Sequence, residues 1–281
     1  MKSSIPMACL LACGAAAANP FDCLIEPYQM VEVRSSVEGI IEKVNVQRGD
    51  RVRAGQVLVQ LESAAETSAV QLSRVRAESQ GRLQSAQNRL DYAHKKLERQ
   101  AQLEAQKFVS VQARDEAEAE KRILEAELRA AREDKEQAIL DARHAQDLLN
   151  RRVLRSPFDG VVLDRMLNPG DLAESGTGRK PILKLVQVEP LRVEVVLPLA
   201  AWGKLKPQQA ATVVPEGLGG SHAATVKVID SVFDTASGTF GVRLEMPNAG
   251  GRVPAGIRCR VDFPELRQLV TPASYTRPAA R

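Results

Sequence analysis

Ser35-Ser36-Val37-Glu38-Gly39 is echoed far downstream by Ser156-Pro157-Phe158-Asp159-Gly160, and a long run of helix formers lies between the two. At the same offset, with no gap, Gly49-Asp50 falls on Gly170-Asp171 and Gly55 on Gly176. The apolar pair Ile40-Ile41 falls on Val161-Val162. A β-rich unit present twice around a helical insert leaves few folds open. It reads as one small domain split in half, with the insert leaving one half and returning to the other.

Each half carries its own strand and turn signals. Val31 to Leu61 reads as short strands around Ile40-Ile41, Val44, Val46, Val52 and Val57-Leu58-Val59, with turns at Gly39, Arg48-Gly49-Asp50 and Ala54-Gly55-Gln56. Leu154 to Val188 repeats the pattern, with turns at Asp159-Gly160 and Asn168-Pro169-Gly170-Asp171. Packed face to face, the two halves bury one core between them.

The insert is an antiparallel helical hairpin. From about Glu66 to Leu149 there is no proline, and Gly81 is the single glycine. Leu124, Leu128, Ala131, Lys135, Ala138, Ala142, Ala145 and Leu149 step by four and three, the spacing of a coiled-coil seam. In the first arm Leu83, Leu90 and Leu97 recur every seven residues, with Ala86 and Ala93 between them. Lys135 interrupts the stripe, and its stem is expected along the seam with the ammonium in solvent. The arms meet near Lys107-Phe108-Val109-Ser110, where Ser110 is suited to cap the second helix. Each arm is then about 40 residues, about 60 Å at 1.5 Å per residue.

Composition excludes several functions. Aromatic residues make up only 4% of 281, and the net charge of +4 comes from basic residues interleaved with acidic ones, so neither a large enzyme core nor a nucleic-acid stripe is expected. Residues 1–18 read as an export signal: Lys2, a short apolar core over Met7 to Ala12, and Ala16-Ala17-Ala18 before Asn19. Leu10-Leu11-Ala12-Cys13 also fits a lipoprotein cleavage site, which would acylate Cys13. Cleavage after Ala18 leaves Cys23 and Cys259, either a disulfide between the first and last strands or two small buried hydrophobes. His94, His144 and His222 are too scattered for a metal site, and Gly176-Thr177-Gly178-Arg179-Lys180 lacks the spacing of a phosphate loop.

Gly39-Ile40-Ile41, Arg48-Gly49-Asp50 and Gly55-Gln56-Val57-Leu58, with Ser156 to Gly160 and Pro169-Gly170-Asp171, resemble the two halves of a lipoyl/biotinyl-type domain. With the hairpin between them, the chain resembles the periplasmic adaptor (membrane fusion) proteins of the HlyD-like type. The resemblance implies an elongated α+β fold: a split lipoyl-like β-sandwich with an inserted antiparallel coiled-coil hairpin, followed by a small β-barrel. The expected division is a signal peptide over 1–18, lipoyl-like halves over 28–62 and 154–188, the hairpin over 63–153, the barrel over 189–264 and a flexible tail over 265–281. Adaptors of this kind place an Arg, a Leu and a Ser at the hairpin tip, and Arg99, Leu103 and Ser110 stand at that spacing here. The resemblance implies that these three dock a TolC-like outer-membrane channel.

The same resemblance implies a non-enzymatic adaptor of a tripartite efflux pump. It would link an inner-membrane transporter, RND type first, to the channel, and would self-associate into a ring, usually a hexamer in the family, without nucleic acid. Its place would be the periplasm of a Gram-negative bacterium, against the inner membrane and lipid-anchored if Cys13 is acylated. No cofactor is expected: Glu62-Ser63 occupies the turn where a lipoyl or biotinyl carrier keeps its attachment lysine. With only a short tail after Phe263-Pro264, the membrane-proximal domain of many relatives would be expected to be absent or vestigial, which leaves the transporter class open between RND and ABC. The alternatives are an adaptor of type I secretion or of an ABC exporter and, in another class, a carrier-type enzyme subunit.

Overall fold

The computed structural model describes residues 21–176 and 179–266; the leader with Cys13, part of the Gly176–Lys180 turn and the chain after Leu266 lie outside them. In chain order the elements are β1 (Phe21–Val33), β2 (Gly39–Val44), β3 (Arg51–Val52), β4 (Val57–Leu61), α1 (Ala64–Glu78), α2 (Gly81–Ala105) and α3 (Val111–Asn150). Then come β5 (Val153–Arg155), β6 (Gly160–Arg165), β7 (Leu172–Ala173), β8 (Leu183–Pro198), β9 (Ala210–Pro215), β10 (His222–Ile229), β11 (Thr239–Met246) and β12 (Ile257–Asp262).

The sequence repeat is a repeat of hydrogen bonds. Gly49 N–H donates to the Val162 carbonyl at 2.9 Å, and at the matching position Gly170 N–H donates to the Ile41 carbonyl at 2.8 Å. Val162 N–H reaches the Asp50 carbonyl and Ile41 N–H the Asp171 carbonyl, both at 2.9 Å. Each Asp also fixes its own turn, accepting from Gln47 N–H (2.7 Å) and Asn168 N–H (2.8 Å). Gly49 and Gly170 both have φ of 91°, a region where a Cβ meets the neighbouring carbonyl. β3 pairs with β6 as β7 pairs with β2. Between the halves lie Ile41, Leu58, Leu61, Val162, Ala173, Leu183 and Leu185, all buried.

The second core lies inside a closed barrel of six antiparallel strands, β1-β12-β9-β10-β11-β8, with β8 returning to β1. β1 and β8 are long because they serve both modules. Gln29–Val33 pairs with residues 183–187 beside the split domain, and Cys23–Pro27 with residues 191–195 in the barrel, with a register shift between Pro27 and Gln29. The barrel therefore takes a strand from residues before 28, outside the 189–264 expected for it. Alternation in Phe21 to Ile25 carries that strand, with Cys23 and Ile25 facing the core. Nor does the tail begin at 265: Leu266 N–H bonds to the Phe263 carbonyl and its side chain, 1% exposed, enters the barrel core. Buried Asn248 ties a barrel loop to the joint, donating to the Val188 and Val253 carbonyls and accepting from Val253 N–H, each at 2.9 Å.

The hairpin departs from expectation in its first arm, which is two helices. α1 ends at Glu78, Ser79 leaves helical geometry at ψ of 128°, and α2 starts at Gly81 after Gln80. Lys135, on the facing helix, explains how the break is tolerated. Its ammonium does not run out to solvent; it donates to the carbonyls of Ala77 and, at 3.1 Å, Ser79. Carbonyls at a helix C-terminus lack intrahelical partners and carry partial negative charge, so a cation fits there. The seam residues Leu83, Ala86, Leu90, Ala93, Leu97, Leu124, Leu128 and Ala131 are all buried or half-buried.

The β1–β12 register sets Cys23 opposite Cys259, with Cα atoms 4.8 Å and sulfurs 2.04 Å apart. The chain from Asn19 onward, exported to an oxidising compartment, should show no titratable thiol when denatured without reductant; two thiols would rule out a bridge. Because Gly49 and Gly170 are equivalent, Gly49→Ala and Gly170→Ala should each cost about 1–2 kcal/mol in urea denaturation. A large loss at one position and none at the other would contradict the symmetry.

Candidate docking tip of the hairpin

The tip is built by two capping motifs placed back to back. α2 closes with Lys107 N–H donating to the Glu104 carbonyl at 2.8 Å and Phe108 N–H to the Leu103 carbonyl at 2.9 Å. This is the Schellman arrangement, which places the residue after the C-cap in the left-handed region. That residue is Lys107, at φ of 62°. α3 opens on Ser110, extended at ψ of 153°, whose Oγ accepts from Ala113 N–H at 3.3 Å. The reading of Ser110 as a helix cap is thus met by the geometry.

Arg99 and Leu103 lie one turn apart on α2, and both are exposed. The Arg99 side chain makes no hydrogen bond or ion pair among the described residues. Sequence reasoning put the turn at the right place but missed its most exposed side chains. Phe108 is 75% exposed and Val111 55%, against 38% for Leu103. The available signal was an aromatic residue placed in the turn between the two helices.

Below the tip, the helices are held in register by charge. Arg82–Asp134 (2.6 Å), Arg89–Glu127 (3.7 Å) and Lys96–Glu120 (2.6 Å) link α2 to α3. The cations recur every seven residues on one helix and the anions every seven on the other, as antiparallel seams require. The Glu120 carboxylate, bonded to Lys96, pushes that ammonium above its ordinary value. The sevenfold spacing of this ladder is present in the sequence, though the apolar stripe alone does not reveal it.

The seam changes character toward the tip. The apolar hairpin core is Ala86, Leu128 and Ala131, with Leu83 and Leu90 against it. Continuing the heptads distally gives half-buried Gln100 and Glu104 on α2, and half-buried Lys121 and Arg114 on α3 with the buried Ala117 between them. Gln100 Oε1 is buried without a partner, and Arg114 reaches Glu104 at 3.8 Å and Asp115 at 2.9 Å. An unmet buried acceptor costs about 1–3 kcal/mol. Across the last turns the helices are joined by the Glu104–Arg114 ion pair and by the small buried side chain of Ala117.

At the other end Arg152 anchors the root. Its guanidinium donates to Glu66 Oε1 on α1 (3.0 Å through Nε) and to the Glu38 carbonyl (2.9 Å) beside β2. A bond from its own backbone N–H, aided by Arg152, holds the Glu66 carboxyl below its usual range against the opposing effect of burial. The histidines remain apart: His94 on α2 faces Glu98 of the same helix at 3.3 Å, while His144 and His222 lie on α3 and β10. Among the described residues, no helix is long and apolar enough to cross a membrane.

The polar distal seam has a measurable consequence. Raising salt from about 0.1 M to 1 M shortens the screening length from about 10 Å to 3 Å. Amide hydrogen exchange over residues 100–118 should then accelerate more than over 83–97. Equal acceleration along the hairpin would contradict an ion-pair-held tip.

Residues 29–178 match the CzcB-like, barrel-sandwich hybrid domain family. The chain is 25% identical over 257 residues to the efflux pump periplasmic linker BepD of Brucella suis biovar 1 (strain 1330), covering 86% of this chain and 62% of that protein. It is 26% identical over 244 residues to the multidrug resistance protein MdtE of Escherichia coli (strain K12), covering 82% and 60%. The chain thus spans about 60% of the length of these curated relatives. In fold it is similar to the crystal structure of MacA from Actinobacillus actinomycetemcomitans, with a TM-score of 0.72 at 21% identity over 86% of this chain and 76% of that one. With the family match covering more than half of its residues, the chain belongs to the CzcB-like barrel-sandwich hybrid domain family.

Proposed function

We propose that the protein is a periplasmic adaptor of a tripartite efflux pump, joining an inner-membrane transporter to a TolC-like outer-membrane channel. The observation that carries this reading is a thin two-helix rod, rooted in the split domain, whose end leaves Leu103, Phe108 and Val111 exposed among the described residues. α3 alone has 40 residues, about 60 Å of helix. A rod of that reach suits a spacer that bridges two partners. The names of BepD, a periplasmic linker, and MdtE, a multidrug resistance protein, support the same role. Its work is assembly rather than catalysis, with copies packing head to tail into a closed ring. In this reading Arg99, Leu103 and Ser110 contact the channel.

A photo-cross-linker placed at Leu103 in cells tests the reading, with mass spectrometry of the captured protein. An outer-membrane channel is the expected product, and repeated capture of cytoplasmic enzymes alone would sink the proposal. Leu103→Asp should abolish export activity while leaving helicity at 222 nm unchanged, since an exposed substitution costs no more than about 0.5 kcal/mol. Full export at normal expression would show that the tip does not dock there.

A further inference from the structure

We propose that Lys107 and Phe108 are the anchor by which the tip grips its partner, and that the partner offers an apolar pocket rimmed by carboxylates. The inference rests on the docking role of the tip and goes past the Arg99, Leu103 and Ser110 triad to two residues that the triad does not include. Three independent observations carry it.

The first is backbone strain. Lys107 holds φ of 62°, where a side chain is disfavoured and glycine is the usual occupant. A non-glycine in this region costs about 1–2 kcal/mol. Such an outlier points toward function when the residue brings something glycine lacks, and here that is an ammonium at the apex of the rod.

The second is apolar exposure. Phe108 comes next in the chain at 75% exposure, with Val111 at 55% and Leu103 at 38% around it. In many Schellman caps the residue at the Phe108 position packs back on the one at the Leu103 position. Both remain open to solvent here, so the cluster is left for another surface to cover. Aromatic side chains buried at the centre of an interface are the usual energetic anchors.

The third is charge. Every acidic side chain around the turn is engaged within the chain: Glu98 with His94 (3.3 Å), Glu104 with Arg114 (3.8 Å), Asp115 with Arg114 (2.9 Å), and Glu116 with the Gln112 amide (3.0 Å). The side chains of Arg99 and Lys107 have no hydrogen bond or ion pair among the described residues. The two charged side chains left without a partner at the apex, Arg99 and Lys107, are both cations, so a carboxylate opposite either one would add an ion pair that the free chain lacks. Three apolar side chains at the end of a narrow rod fit a protein pocket better than a broad lipid surface.

The test measures the yield of channel captured from the cross-linker at Leu103, in the full-length protein, on Phe108→Ser, Lys107→Glu, Lys107→Arg and Lys107→Gly backgrounds. Phe108→Ser and Lys107→Glu should cut capture by about tenfold or more, as loss of an interface anchor does. Lys107→Arg should stay within about twofold, since the charge is kept. Lys107→Gly separates charge from strain: it should raise the melting temperature of the hairpin while still lowering capture. Wild-type capture by Phe108→Ser and Lys107→Glu together would overturn this anchor and leave the docking reading standing. Failure of the unaltered chain to capture any channel would remove the docking reading, and the anchor with it. Flotation of the protein with phosphatidylglycerol vesicles, abolished by Phe108→Ser, would overturn the protein pocket in favour of lipid.

Discussion

The four backbone hydrogen bonds exchanged between Ile41, Gly49 and Asp50 and their counterparts Val162, Gly170 and Asp171 are what the rest of the architecture depends on. Neither half is self-sufficient. β3 and β7 are two residues each and have no partner in their own half, so each lies on a strand of the other. Because the exchange is reciprocal, the places where the chain leaves and re-enters, Leu61 and Val153, are brought together, and only an antiparallel pair of arms can join them. Arg152 then locks the root to both α1 and the loop before β2.

Along the hairpin the same chemistry is used in two ways. In the middle, alanine and leucine allow close approach, and ion pairs at sevenfold spacing fix the register. Toward the tip polar side chains enter the seam beside Ala117, and Gln100 is left with an unmet oxygen. The distal turns therefore carry less apolar burial than the middle of the rod. Low local stability is common where a surface must adapt to a partner.

Much of this was legible in the sequence, and the gaps have physical causes. The repeat revealed the split domain because turns that need a left-handed glycine and a turn-capping Asp can be met by few residues. The four-three stripe revealed the seam for the same reason. The break at Ser79-Gln80 was missed because one glycine in a helical run is ordinarily tolerated; its signal lay in Lys135, a cation in the seam of the opposite arm, which answers the freed carbonyls. The barrel's sixth strand was cut off because a strand shared between two modules has no punctuation at the joint beyond Pro27. Lys107 hid because a left-handed cap is read from glycine, and there is none. Burial of Leu266 depends on contacts that only the closed barrel creates.

The split also sets an order of events in time. When the first half emerges from synthesis, β2 and β4 can pair, but β1 and β3 have no partners until residues beyond Asn150 have been made. The hairpin contacts are nearer in sequence and close first, α2 on α3 from the turn outward. Zipping those arms shortens the free loop between the halves, and loop closure becomes less costly as the loop shrinks. The rod that separates the two ends of the molecule is, during folding, the clamp that draws the two halves of its own base together.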